Sequence, residues 1–233
     1  MTIRAKLYAA IVLTVLGPLA TIAVALHGMA QLGDRFDEVQ QRAEHEALAR
    51  ELKFAVTDVN GWQTAYGYAG GDLRQRDELR QVYLRAESEL ERELKVASNT
   101  FADPREHERL TRLERDFDRF KQLDAIAWRA LRAGSDQRTR QILLGPEIKQ
   151  FEAMAATAER LAAYEAERAA ATEGDFDDAR DDARKQLIAV ALGAGLVIIL
   201  LLVTANDIAR MALEGERSVR ERPPGERPGN GSS

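Results

Sequence analysis

The sequence predicts an all-α protein in which two transmembrane helices flank an antiparallel extracytoplasmic four-helix bundle with a two-helix stalk. Three observations lead there. The segment 187–206 holds twenty residues without a charge, Leu196, Val197, Ile198, Ile199, Leu200, Leu201, Leu202 and Val203 among them. At a rise of ~1.5 Å per residue it reaches about 30 Å, the thickness of a bilayer's hydrocarbon core. A second uncharged stretch, 7–33, follows Arg4 and Lys6. Between the two, apolar residues recur at the three- and four-residue spacing of packed helices.

Composition agrees. The chain is 45% hydrophobic and 30% charged, with a net charge of −5. The apolar set is mostly Ala and Leu and the charged set mostly Arg and Glu, a balance that favours long helices. No basic excess supports nucleic-acid binding. The sequence has no cysteine, which excludes a disulfide, a thiolate nucleophile or a zinc–thiolate site.

The first span falls within 1–30 and is most apolar over 7–26. Gly17-Pro18 inside it is compatible with a membrane helix, where both residue types are tolerated. The alternative is a cleaved signal peptide with Ala23-Val24-Ala25 at the cleavage site. Two features favour the span: the apolar run exceeds a signal core of about 7–15 residues, and no turn signal separates it from the next helix. Arg4 and Lys6 precede the first span, and Arg210 and Arg217 follow the second. Both termini are therefore expected in the cytoplasm and the middle, with 26 basic against 33 acidic residues, outside the plasma membrane.

The middle, 31–186, reads as helices throughout. In 31–69, Leu48, Leu52, Ala55, Val59, Trp62 and Tyr66 form a heptad seam, and Gly70-Gly71 ends it. In 72–98 the seam is Leu79, Tyr83, Ala86, Leu90, Leu94 and Ala97. Asp103 is the N-cap and Pro104 the first residue of a helix over 104–133. Its apolar face is Leu110, Leu113, Phe117, Phe120, Leu123, Ala127 and Leu131, and Gly134-Ser135 closes it. A short amphipathic piece, 136–144, reaches Gly145-Pro146, where a helix is expected to break or kink. The last helix opens at Pro146 and buries Ile148, Phe151, Ala155, Ala158 and Ala162. The outer helices, 31–69 and 146–186, come to about 58 and 61 Å, and the inner two to about 40 and 45 Å. Two matched long helices joined through two shorter ones make an antiparallel four-helix bundle on a stalk. After the second span, 207–233 is a short cytoplasmic tail. It is expected to continue the helix for a few turns, stop at Pro223-Pro224-Gly225 and end disordered.

Little in the sequence points to turnover. His27, His45 and His107 are far apart, and none has a partner at i+3 or i+4 that completes a metal set. His45, between Glu44 and Glu46, reads as part of a solvated helix face. No phosphate loop, Ser/His/Asp order or metalloprotease helix is present. The sequence therefore predicts no enzyme, no cofactor and no metal site. The acidic residues Glu173, Asp175, Asp177, Asp178, Asp181 and Asp182 read as a solvated face, with a divalent cation at the membrane surface as the alternative.

One stretch breaks the pattern. Thr57, Asp58, Asn60 and Gly61 are poor helix formers in mid-helix, Gly alone costing up to about 1 kcal/mol against Ala. Trp62 and Tyr66 beside them offer stacking faces and hydrogen-bond donors. Asp58, Asn60, Gly61, Trp62, Gln63 and Tyr66 are thus the candidate ligand or subunit contact. The competing reading is a tight helix–helix contact with two aromatic core residues.

Asp58-Val59-Asn60-Gly61-Trp62-Gln63-Thr64-Ala65-Tyr66 and Leu144-Gly145-Pro146-Glu147-Ile148 carry a resemblance. Over roughly 1–210 the chain resembles the sensor half of methyl-accepting chemotaxis receptors. The resemblance implies a homodimer that binds a small molecule or a partner protein at the distal bundle. Binding would then shift the last helix and its span by a small piston or tilt. No ligand-contact residue is carried over from it. Such receptors continue into a HAMP relay and a methylatable coiled coil, whereas 27 residues follow Asn206 here. Kinase control is therefore expected in a signalling partner, or in a longer receptor of which this chain is a piece. The expected function is that of a membrane-bound, chemoreceptor-like sensory protein. The alternative is a membrane-anchored helical interaction or structural protein that pairs with another membrane or envelope protein.

Overall fold

A computed structural model describes residues 3–69 and 73–220. The element order is α1 (Ile3–Tyr68), α2 (Leu73–Thr100), α3 (Pro104–Arg132), α4 (Asp136–Ile142), a π-helical turn (Leu143–Glu147) and α5 (Ile148–Arg220). Among the described residues there is no strand. The predicted break at Gly70-Gly71 and the predicted disordered end beyond Pro223 lie outside the described residues. The chain divides into two compact units, Asp34–Asp177 and the flanking segments Met1–Gly33 with Asp178–Ser233.

Four helices feed one core in the unit Asp34–Asp177. Leu52, Val59 and Tyr66 of α1 share it with Tyr83, Leu90 and Leu94 of α2, Leu113, Phe117 and Phe120 of α3, and Met154 and Leu161 of α5. The heptad seams of α1 and α2 are thus where their spacing places them, because one apolar stripe per helix is all that such packing can bury. Two faces differ from expectation. On α3 the buried residue between Phe120 and Ala127 is Asp124, and Leu123 is only half-buried. Asp124 keeps the four-three step of the seam, and Leu123 is one position off it. On α5 the buried line is Met154, Ala158, Leu161 and Glu165, with Phe151 and Ala155 only partly covered.

Capping defines α3. The Asp103 carboxylate accepts the Arg105 N–H at 2.7 Å, and Glu106 reaches back to accept the Asp103 N–H at 2.9 Å. This capping box satisfies two of the first-turn donors. At the other end Gly134 has φ +72°, the left-handed conformation that closes a helix. The Ser135 N–H then bonds the Ala130 carbonyl at 2.9 Å.

The expected break at Gly145-Pro146 does not occur. Pro146 has no N–H to place in an α-helical ladder, and the chain takes up the fault as a π turn over Leu143–Glu147 while remaining helical. Gly67 of α1 faces this turn. A Cβ there would stand 2.4 Å from Leu143 Cδ1, so the glycine is what lets Leu143 close on α1.

In the flanking unit, α1 and α5 each contain a stretch long and apolar enough to cross a membrane, none of it buried against protein. Leu26, Leu192, Ile199 and Leu202 all stand exposed. Helices apolar on every side are stable where lipid surrounds them.

Candidate functional site

The six residues singled out on α1 go to three places. Tyr66 and Gln63 are buried, Asp58, Asn60 and Trp62 are half-buried, and Gly61 is exposed with open space around its Cα. Trp62 packs against the core and, with Asp58, lines a groove of about 750 Å³ between α1 and α2. Phe54, Val82 and Ala86 complete its apolar floor, and Arg85, Glu89 and Arg92 stand along it. Phe54 is 72% exposed.

Tyr66 belongs instead to a buried polar cluster. Its hydroxyl donates to Asp124 Oδ1, and Arg80 donates to the same oxygen at 2.7 Å. The Arg80 guanidinium lies 4.3 Å from the ring centre of Tyr83, 5.0 Å from that of Tyr66 and 5.3 Å from that of Trp128. The Tyr66 ring meets both other rings edge-on. A cation over three aromatic faces is stabilised by their negative π-clouds, more so out of water. Burial pushes the Asp124 carboxyl upward, and the Arg80 charge with the Tyr66 hydrogen bond pulls it back. Burial, with the charge of Asp124, raises both tyrosine hydroxyls, so they stay neutral. Glu147, from the π turn, is 1% exposed, and neither carboxylate oxygen has a hydrogen-bond partner. Burial first and the charge of Asp124 second push it up to about 8, against the opposing pull of Arg80.

A second cluster lies about 30 Å earlier along α1. His45 is not part of a solvated face: it is 3% exposed and sits edge-on to the Phe101 ring at 5.1 Å. Its Nδ1 lies 3.8 Å from Glu106 Oε1 on α3 and 3.8 Å from Glu165 Oε2 on α5. Neither His45 Nδ1 nor either oxygen of Glu165 has a hydrogen-bond partner. Glu106 is the capping-box residue and also accepts from Arg168 at 2.7 Å, with Arg42 at 3.8 Å. Burial lowers His45 despite the nearby Glu106 charge. Burial and the Glu106 charge push Glu165 up to about 7. The residues of the acidic patch, by contrast, lie toward solvent, and Lys185 pairs with Asp182 at 2.8 Å.

Both clusters continue the apolar seams. His45 is three residues before Leu48, Glu106 four before Leu110, and Glu165 four after Leu161. Extending each heptad by one step lands on them, a signal that local motif spacing does not register.

Comparison with known proteins finds no matching family model, curated protein or solved structure. What remains is geometry: an open groove with an exposed phenylalanine, and two buried sets of ionisable groups that can hold a charge, a proton or a cation.

Proposed function

We propose that this chain is a chemoreceptor-like sensory protein of the plasma membrane. In this reading both termini are cytoplasmic, and residues 34–177 form an antiparallel four-helix bundle outside. The bundle receives a small molecule or a partner protein, and the second span transmits the event. One observation carries the proposal. α5 runs as a single helix from Ile148 to Arg220, holding the core residues Met154, Ala158 and Leu161 and the uncharged stretch 187–206 in one element. It contains no proline. A helix gripped by a core at one end and entering lipid further on passes on a shift of its packed face as a rod, because close-packed interiors do not absorb small displacements.

The groove beside Phe54 and Trp62 supports self-association. An exposed aromatic floor bordered by both signs of charge suits a second copy of the same face. The test uses the absence of cysteine. In nanodiscs, a single Phe54→Cys is expected to form a disulfide between copies. Small molecules that raise the melting temperature should also change the disulfide rate of a separate Leu192→Cys in the second span. A library that yields no compound doing both sinks the small-molecule version of the sensor reading. Cross-links of Phe54→Cys only to a different protein would favour the membrane-anchored interaction protein.

A further inference from the structure

We propose that His45, Glu106 and Glu165 bind one divalent transition-metal ion of the zinc type, clamping α1, α3 and α5 together. The site goes beyond the sensor reading and holds whether or not the chain signals.

Three buried side chains from three helices bring their donor atoms within 4.8 Å of one another. The two His45–carboxylate separations are both 3.8 Å. Around a tetrahedral ion with bonds of ~2.0–2.1 Å, donor atoms stand about 3.3 Å apart. Each of these two pairs therefore needs to close by about half an ångström, within the reach of side-chain rotation. The donors are aimed inward and open: His45 Nδ1 and both oxygens of Glu165 carry no hydrogen bond although they are buried. Buried polar atoms are almost always paired, and an ion that accepts their lone pairs satisfies them in one step.

The charges fit. Arg168 is shared between Glu106 at 2.7 Å and Asp103 at 3.3 Å, and Arg42 sits 3.8 Å from Glu106. With Asp103 and Glu106 matching the two guanidiniums, Glu165 alone is left facing a dication, and a hydroxide at the open position brings the whole set to neutrality. Glu106 is already fixed in orientation by the Asp103 N–H and by Arg168, the kind of outer support that metal ligands use. Its oxygens have lone pairs to spare. One imidazole and two carboxylates, with no sulfur, favour zinc, cobalt, nickel or manganese over copper(I), and the imidazole disfavours magnesium. A fourth position is left for water.

The experiment strips the full chain in nanodiscs with a chelator and titrates it with cobalt(II), following the visible ligand-field bands. One equivalent should bind and be displaced by zinc. His45→Gln and Glu165→Gln should each weaken binding tenfold or more while helicity and cooperative melting persist. Glu173→Gln in the acidic patch should leave affinity unchanged. On the unaltered chain, zinc X-ray absorption should show one imidazole among oxygen donors. An oxygen-only shell, no band at one equivalent, or binding that survives both substitutions overturns the proposal.

Discussion

Replacing Glu147 by Gln should make the protein more stable at alkaline pH and cost it about 1–3 kcal/mol near pH 4 if the new amide stays unpaired. Glu147 is 1% exposed with both oxygens unpaired, and burial pushes it from an ordinary 4.5 up to about 8. The groups acting on it are Asp124, which raises it further, and Arg80, which opposes. Because the folded state holds the proton more tightly than the unfolded chain, the full stability is present below about pH 4.5. It is lost progressively as pH rises to about 8, and the loss levels off above that. At ~1.4 kcal/mol per pH unit the whole window amounts to about 5 kcal/mol. The substituted glutamine carries no such proton. Its amide adds a pH-independent cost of about 1–3 kcal/mol if its own donors stay unpaired. The gap between variant and wild type should therefore widen toward the variant by about 5 kcal/mol between pH 4 and pH 9. That corresponds to roughly 15 °C in melting temperature. Thermal melts of both proteins followed by circular dichroism across this range measure it. A gap that does not change with pH would refute the burial of an unpaired carboxyl at this position.

Asp124→Ala should cost about 3–5 kcal/mol, because it strands the largely buried Arg80 and removes the acceptor of Tyr66. Asp124→Leu combined with Arg80→Met should cost clearly less than Asp124→Ala alone, as chemical denaturation of the two variants would show. Gly61→Ala should stabilise by about 0.5–1 kcal/mol, since nothing stands within 4 Å of the added methyl group. A loss of stability there would mean that another chain packs on that face. Phe54→Ser should weaken self-association at least tenfold in sedimentation or cross-linking while leaving helicity intact, because its 72% exposed ring contributes nothing to the core.

The fold was legible because its main signals are one-dimensional. Two uncharged stretches, the heptad seams of α1 and α2, and the Asp103-Pro104 start of α3 each need only neighbouring residues to be read. The buried polar residues were not, because each interrupts an apolar pattern. Asp124 holds a core position that the adjacent Leu123 matches better by hydropathy alone. His45, flanked by Glu44 and Glu46, has the local look of a solvated face, and only the step to Leu48 and Leu52 turns it inward. Glu106 and Glu165 become its neighbours through helix packing between segments distant in sequence, which no local spacing encodes. The turn at Gly145-Pro146 shows a related limit. A proline signals a fault in the ladder, but whether the fault becomes a break or a π turn depends on packing, here of Leu143 against Gly67.

A sensor of this build needs its bundle and its termini on opposite sides of a membrane. In this cysteine-free chain, Ser98→Cys and Gln137→Cys in the unit 34–177 and Ser218→Cys after the second span report it directly. A membrane-impermeant maleimide applied to intact spheroplasts should label the first two and reach Ser218→Cys only after the membrane is opened. Labelling of all three before opening, or of Ser218→Cys alone, would contradict it.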